Sequence, residues 1–256
     1  MESMQIELKD GVLICRLNRP EKHNCLNHEI FEGLEIAINE ASLNPEIHGM
    51  LLVGHGPSFC AGADIKRLAE CNGQSGFDFA KSGQAVMNQI ESLDKPCIAA
   101  LHGHVLGGGC ELAMSAHLRF AHEKTLFGQP EVKLGVIPGY GGTQRLSRLI
   151  GRSRALDLCL TGRFIDAQTA LNWGLVDQVI ADDVEQAAFD YLQQLKNLPS
   201  IAKASIIQSI MQGIEMPLSQ ALEVEALHFA KCCASHDKQE GVEAFLQKRP
   251  AQFKGC

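Results

Sequence analysis

Hydrophobic and polar positions along the chain follow two rhythms, one of period two and one of helical spacing. Gln5 to Leu8 and Val12 to Leu17 are apolar or alternating around Asp10-Gly11, a pattern that predicts a β-hairpin. Asn18-Arg19-Pro20 closes it, and Ile30, Leu34, Ala37 and Ala41 then recur at helical spacing as far as Asn44-Pro45. Gly49 to Val53 is short, aliphatic and led by glycine, as a buried strand is, and it opens into a loop of small residues, His55 to Asp64, that runs into a helix start. From Arg67 to Asn88 a polar stretch, Cys71 to Gly76, is expected to be mobile and to precede a helix with Val86, Ile90 and Leu93 on one face. A second apolar run, Ile98 to Val105, ends in Gly107-Gly108-Gly109 and passes directly into a helix-like segment, Cys110 to His117. A polar link leads on to Glu131. Gly135 to Gly142 is too rich in glycine for a regular element, and Thr143 is expected to cap a basic helix carrying Arg145, Arg148 and Arg152. Ala167 to Trp173 predicts a helix stopped by Gly174, Leu175 to Ile180 the last strand, and Asp182 or Asp183 the cap of a helix whose Val184, Ala187, Ala188, Tyr191, Leu192 and Leu195 share a face.

The unit of strand, small-residue loop and helix therefore occurs twice, at Gly49 to Leu68 and at Ile98 to His117. The first N–H groups of a helix have no intrahelical partner, and glycine lets another molecule approach the main chain. Each unit can thus present an outward amide, near Ala63 and near Gly108, and two such amides can form one oxyanion hole. An ordinary strand–helix repeat with incidental turns gives the same pattern. Two carboxylates accompany the second unit: Glu111 just after the glycines, and Glu131 in Gln129-Pro130-Glu131, where proline stiffens the backbone. An acidic residue in a first helical turn also serves the macrodipole without any chemistry.

Beyond Pro199 everything reads as helix. Leu222, Ala226, Phe229 and Cys233 form one apolar stripe and Val242, Phe245 and Leu246 another, on a segment too small to bury both. The expected division is residues 1–196 as a core and 197–256 as a helical appendage that packs on the core or on another subunit.

Composition narrows the function. A 256-residue chain with 45% hydrophobic residues has ample material for a core, and a net charge of −7 opposes nucleic acid as the main partner. Ten cysteines without a CxxC pair, several in apolar runs, suggest buried thiols in a reducing cytoplasm. The opening segment, MESMQIELKDG, lacks a basic n-region and an apolar core, so no signal peptide is expected. The longest charge-free stretch, Pro96 to Cys110, falls short of the roughly 20 apolar residues of a bilayer span. His102-Gly103-His104 reads as packing rather than a metal site, and no metal is expected. The glycine triplet lacks the Gly-Lys-Ser/Thr of a P-loop, and Ser58 and Ser115 lack a histidine partner in motif context.

Four strings, Phe59 to Lys66, Gly107 to Ala113, Phe127 to Glu131, and Gly135 through Leu146, resemble in order the crotonase (enoyl-CoA hydratase/isomerase) family, as does the tail from Glu240 to Arg249. The resemblance covers essentially the whole chain. It implies an α/β fold, a crotonase-type spiral of repeated ββα units with a C-terminal helical trimerisation region, assembled as a homotrimer or a dimer of trimers. It implies an acyl-CoA thioester substrate whose carbonyl oxygen is held by the N–H groups of Ala63 and Gly108, and no cofactor beyond the CoA that the substrate brings. Hydratases of the family carry both glutamates, which assigns water activation to Glu111 and proton donation to Glu131, with the Gly139 N–H positioning the water. An isomerase needs only one carboxylate, and the RNA-binding branch is disfavoured by the acidic charge. For CoA the resemblance points to Lys22, Ala61, Gly62, Asp64, Ile65 and Lys66 in the early loops, and to Phe229, Phe245 and Lys248 from the appendage, while Arg67 and Arg249 read as solvated surface.

Overall fold

The structure, a computed structural model, describes residues 2–256; Met1 of the opening segment lies outside the described residues. The hairpin forms as expected: β1 (Met4–Lys9) pairs antiparallel with β2 (Val12–Leu17). Helix α1 (His28–Leu43) is started by the Asn27 side chain, which accepts from the Ile30 N–H, and it buries Ile30, Leu34, Ala37 and Ala41. The chain then enters β3 (Gly49–Gly54), which runs parallel to β2.

From here the sheet grows in one direction. After α2 (Ile65–Ala69) and α3 (Gly73–Glu91) come β4 (Cys97–Leu101), β5 (His104–Leu106) and α4 (Gly108–Ser115). Next are β6 (Leu118–His122), β7 (Leu126–Gly128), α5 (Gly142–Ile150), α6 (Arg152–Thr161), β8 (Phe164–Asp166), α7 (Ala167–Trp173), β9 (Gln178–Ile180) and α8 (Val184–Leu195). Six strands form one sheet in the order β1-β2-β3-β4-β6-β9, parallel from β2 onward, and β5-β7-β8 form a second, smaller sheet. Both faces of the large sheet are covered, which is why its parallel strands read as unbroken apolar runs. Leu13, Cys15, Met50, Leu52, Cys97 and Ala99 face the main core with α1, α3 and α4. Their neighbours Val12, Ile14, Leu51, Val53, Ile98 and Ala100 face Val184, Ala188 and Leu192 of α8.

Several expectations are corrected. Ile98 to Val105 is not one strand. At Gly103 the backbone has φ +60°, and a Cβ there would lie 2.0 Å from the Pro57 carbonyl oxygen, so the chain turns and hands over from the large sheet to the small one. The link between Glu111 and Glu131 holds β6 and β7, whose short runs between polar residues hid them. Gly73 to Gly76 belongs to the first turns of α3, locked by a capping box in which Asn72 and Ser75 exchange hydrogen bonds. Thr143 lies inside α5, which begins after Gly141, and Arg152 starts a separate helix after the turn at Gly151.

Three helices complete the chain: α9 (Ser200–Gly213), α10 (Leu218–Cys233) and α11 (His236–Gln247). Helix α10 packs chiefly on α9 and α11 and buries none of its residues, leaving Leu218, Leu227 and Phe229 in solvent. No helix among the described residues is long and apolar enough to cross a membrane.

Candidate active site

Gly107, at φ +50°, turns the chain from β5 into α4, all eight of whose residues are buried. That places Glu111, 1% exposed, in the first turn of a helix with no access to bulk water. Its carboxylate is more than a dipole complement. Oε1 accepts the N–H of Tyr140 at 2.8 Å and that of Gly142 at 2.6 Å, both from the glycine-rich segment before α5. Glycine is needed there for a steric reason: a Cβ on Gly142 would lie 2.8 Å from that same oxygen. Arg145 fastens the segment, donating to the Tyr140 carbonyl at 3.1 Å while its other nitrogens hold Glu91 and Asn88 on α3.

Glu131 enters from the short 3-10 turn Pro130–Leu134. It packs so closely on the glycine turn that a Cβ on Gly107 would lie 2.7 Å from its Oε1. Gln129, fully buried, donates its amide to both oxygens of Glu131, at 3.1 and 3.2 Å, in the orientation that satisfies both groups. Burial pushes the Glu111 carboxyl up to about 8, helped by the charge of Glu131 and opposed by the two amides, and burial pushes Glu131 up to about 7. The pair titrates as a unit near neutrality.

Both carboxyls are raised, so acid and base forms coexist where ordinary carboxyls are fully ionised. As pH falls below the lower of the two values the pair becomes doubly protonated and loses its base; above the higher it is doubly ionised and loses its acid. Any reaction that uses one as base and the other as acid is therefore expected to show kcat/KM peaking between about pH 7 and about 8 and falling on both sides. A profile flat across the neutral range would contradict this.

The amide donors lie alongside. Segment 59–63 runs beside β5, with Cys60 bridged to Val105 and Ala63 to Leu26. Gly108 comes so near that its Cβ would lie 3.2 Å from the Ala63 nitrogen. Among the described residues neither the Ala63 N–H nor the Gly108 N–H donates to a protein acceptor, and the same holds for Gly139, whose carbonyl accepts from Gln84 at 2.9 Å. Two unpaired amides thus lie side by side at the glycine turn that also carries Glu111 and against which Glu131 packs.

Around this centre the other expected residues are placed unevenly. Ala61 and Gly62 lie in the segment before α2, and Ile65 and Lys66 in its first turn, with Ile65 61% exposed. Lys22 ends the short 3-10 turn Pro20–Lys22. Asp64 is committed internally, capping α2 through the Lys66 N–H and pairing with Arg19 at 3.2 Å, so its carboxylate is not free for a ligand. Arg67 is not merely solvated but lies over the Phe79 ring, and Arg249 is bound to Glu240. Phe229 and Phe245, 70% and 83% exposed, and Lys248 at the left-handed end of α11 stand on the appendage and are not folded over the glutamates of their own chain. No cluster of His, Cys, Asp or Glu that could hold a metal occurs among the described residues.

Gln129, Arg145 and the Tyr140 and Gly142 amides were missed in the sequence. The available signal was the Gly141-Gly142 pair, which reads as a flexible loop until the buried carboxylate that needs it is known.

The chain matches the model of the family described as enoyl-CoA hydratase/isomerase over residues 7–256. It is 37% identical to the short-chain-enoyl-CoA hydratase of Clostridium acetobutylicum over 251 residues, covering 97% of this chain and 96% of that protein. It is 36% identical to the crotonyl-CoA hydratase of Syntrophomonas wolfei, covering 98% of each. The crystal structure of an enoyl-CoA hydratase from Bacillus anthracis superposes with a TM-score of 0.93 at 33% identity, covering 99% of this chain and 100% of that one.

Proposed function

The chain belongs to the enoyl-CoA hydratase/isomerase family, and from that premise we propose that it is an enoyl-CoA hydratase, adding water across the 2,3-double bond of a trans-2-enoyl-CoA to give the 3-hydroxyacyl-CoA. The observation that carries this reading is the pair of glutamates, Glu111 fully buried and Glu131 partly so, set at the glycine turn beside two unpaired amides. The thioester oxygen sits between the Ala63 and Gly108 N–H groups. In the singly protonated pair the reacting form has its charge on Glu111, which the Tyr140 and Gly142 amides stabilise although burial sets its value the higher. Glu111 in that form takes a proton from a water that the Gly139 N–H orients, and the water oxygen bonds to C3. The π electrons move through C2 and C1 onto the thioester oxygen, where each preorganised donor is worth about 3–4 kcal/mol. Glu131, protonated, delivers its proton to C2 as the enolate collapses, and transfer of the proton now on Glu111 resets the pair. Both carboxyls are used, which favours hydration over isomerisation.

With crotonyl-CoA the conjugated enoyl absorbance should disappear, and EDTA should leave the rate unchanged, since acid, base and oxyanion donors are all protein groups. Turnover of 3-enoyl-CoA alone, or loss of activity on chelation, would overturn the assignment.

The acyl end is short. The Tyr140 ring packs edge-on to Phe31 (5.5 Å) and against Phe79 (5.1 Å), filling the space behind the segment that holds Glu111. It presses on Gly83, where a Cβ would lie 2.2 Å from the ring. We place the end of the acyl chain against this wedge. Tyr140→Ala keeps the backbone N–H to Glu111 and opens room for several methylenes, each worth about 0.8 kcal/mol when buried, so kcat/KM for octenoyl-CoA relative to crotonyl-CoA should rise at least tenfold. An unchanged ratio would remove Tyr140 from the acyl site.

Lys22 and Lys66 with the backbone at Ala61 to Ile65 receive the CoA, whose phosphates require local cations in an acidic protein. Two different apolar surfaces are exposed: one on α10 and α11, including Leu227, Phe229 and Phe245, and one formed by Leu134, Ile137, Leu156 and Leu160. Unlike patches that bind each other form a head-to-tail contact, which makes a ring where the rotation closes. We propose a homotrimer or a dimer of trimers, with Phe229, Phe245 and Lys248 reaching a neighbour's CoA. Lys248→Ala should weaken CoA-thioester binding by about 1–2 kcal/mol, the size of a partly screened charge-assisted contact, and leave pantetheine thioesters unaffected. A monomer in light scattering with full activity would sink the shared site. The ten cysteines are all free, which supports a reducing, cytoplasmic setting.

A further inference from the structure

A cavity of about 690 Å³ lies apart from the glutamates, neither of which lines it. It lies where the core, the joint between α8 and α9, the end of α10 and the C-terminal tail meet. Five lysines line it, Lys95, Lys196, Lys203, Lys231 and Lys254, against a single acidic residue, Asp94. None of the five takes part in an ion pair among the described residues, although nine such pairs occur elsewhere. Three of them reach only main-chain oxygens: Lys95 that of Asn44 at 2.7 Å, Lys203 that of Leu195 at 2.8 Å, and Lys196 that of Asp10 at 3.2 Å. An ammonium has three donors, so each keeps at least one for another acceptor.

Like charges gathered around a recess repel one another, and the structure shows the cost. Burial pushes the Lys95 and Lys203 ammonium groups down, and the charge of Lys95 adds to the shift at Lys203. His48, in the same wall, is pushed down to about 4 by burial and then by Lys203, Lys196 and Lys95, and its Nε2 is buried without a partner. The tail that closes one side is not loosely laid there: buried Asp237 accepts the N–H groups of Lys254 and Gly255 at 2.7 and 2.8 Å.

We propose that this lysine-lined recess is a second anion site, taking a chain of phosphoryl groups such as that of a nucleoside diphosphate or an inorganic polyphosphate. A compact anion presents its charge at one point, whereas linked phosphates set several negative charges along the recess against several of the lysines at once. A cavity of this size also admits a nucleoside. Because the lysines come from four separate parts of the chain, the anion ties the appendage to the core.

Helix capping is the competing role, since Lys95 and Lys203 sit at the carbonyl ends of α1 and α8. The two are separated by titrating the full-length protein with sodium triphosphate, pyrophosphate, ADP and sulfate at constant ionic strength, reading calorimetric binding and the thermal midpoint. Saturable binding of triphosphate with a rise in Tm is expected, with sulfate at the same ionic strength inert. Tighter binding of ADP than of pyrophosphate assigns the nucleotide as the source, and equal binding assigns the free phosphate chain. The Lys203→Met/Lys231→Met double variant should weaken triphosphate binding at least tenfold with crotonyl-CoA hydration unchanged. Lys254→Met, on the exposed tail where no packing is lost, should weaken it about threefold, the effect of removing one partly screened contact. Capping alone predicts lower stability in the variants and no saturable phosphate binding, which overturns the site. Binding that survives in both variants and is displaced by CoA places the anion in the acyl-CoA site and overturns it equally.

Discussion

Glu111→Gln and Glu131→Gln are each expected to lower kcat by about 10²–10⁴-fold, the range typical of a positioned acid or base, and the double variant should be little worse than the worse single one. The reason is in the hydrogen bonds. Glu111 holds the Tyr140 and Gly142 amides through one oxygen, so glutamine keeps both contacts with its carbonyl while losing the base. At position 131 glutamine still meets Gln129 but carries no proton for C2. In the proposed mechanism, once either partner is lost the single water between them is no longer both deprotonated and matched by a proton donor, and the second change has little left to remove. Binding of a non-reacting acyl-CoA should change little, since the Ala63 and Gly108 amides remain. Independent, multiplicative losses would show that the two glutamates do not act as one unit.

Gly109→Ala should be nearly as damaging without touching a reacting group. A Cβ at that position would lie 2.1 Å from the Cys60 carbonyl oxygen and 2.7 Å from its carbonyl carbon, both main chain and unable to swing aside. The start of α4 must therefore move off the 59–63 segment, parting the Gly108 and Ala63 amides. Overpacking of this kind costs about 1–3 kcal/mol of stability. Losing one well-aimed oxyanion donor costs a further factor of about 10²–10³ in kcat. Gly73→Ala is the control: nothing lies within 4 Å of its Cβ and it sits in the first turn of α3, so activity and thermal midpoint should hold or improve slightly. Steady-state rates and calorimetry on the two variants suffice, and a Gly109→Ala protein as active as its parent would remove the amide pair from the mechanism.

What could be read in the sequence divides along physical lines. Elements whose pattern is local were legible: the hairpin at Asp10-Gly11, α1 with its apolar spacing, β3 between glycines, and α7 ending at Gly174. The three-residue strands β7 and β8 were not, because a run of three residues has no period, and they exist through pairing partners far along the chain. The site splits in the same way. Glu111, Glu131, Ala63 and Gly108 sit in recognisable strings, whereas Asp64 gave no sign that Arg19 and the α2 amides would consume its charge. Gln129 and Arg145 act only through neighbours brought in by folding, and no spacing rule announces that.

The two amides on Glu111 have a further consequence. A neutral acid is a weaker acceptor than a carboxylate, so ionisation of Glu111 alters the Tyr140 and Gly142 N–H bonds together, while Glu131 touches neither. In a nitrogen-15 spectrum these two signals should move downfield in step as pH rises, with one common midpoint. The resting enzyme thus carries its own pair of labels for the charge on one glutamate, readable without substrate and without turnover.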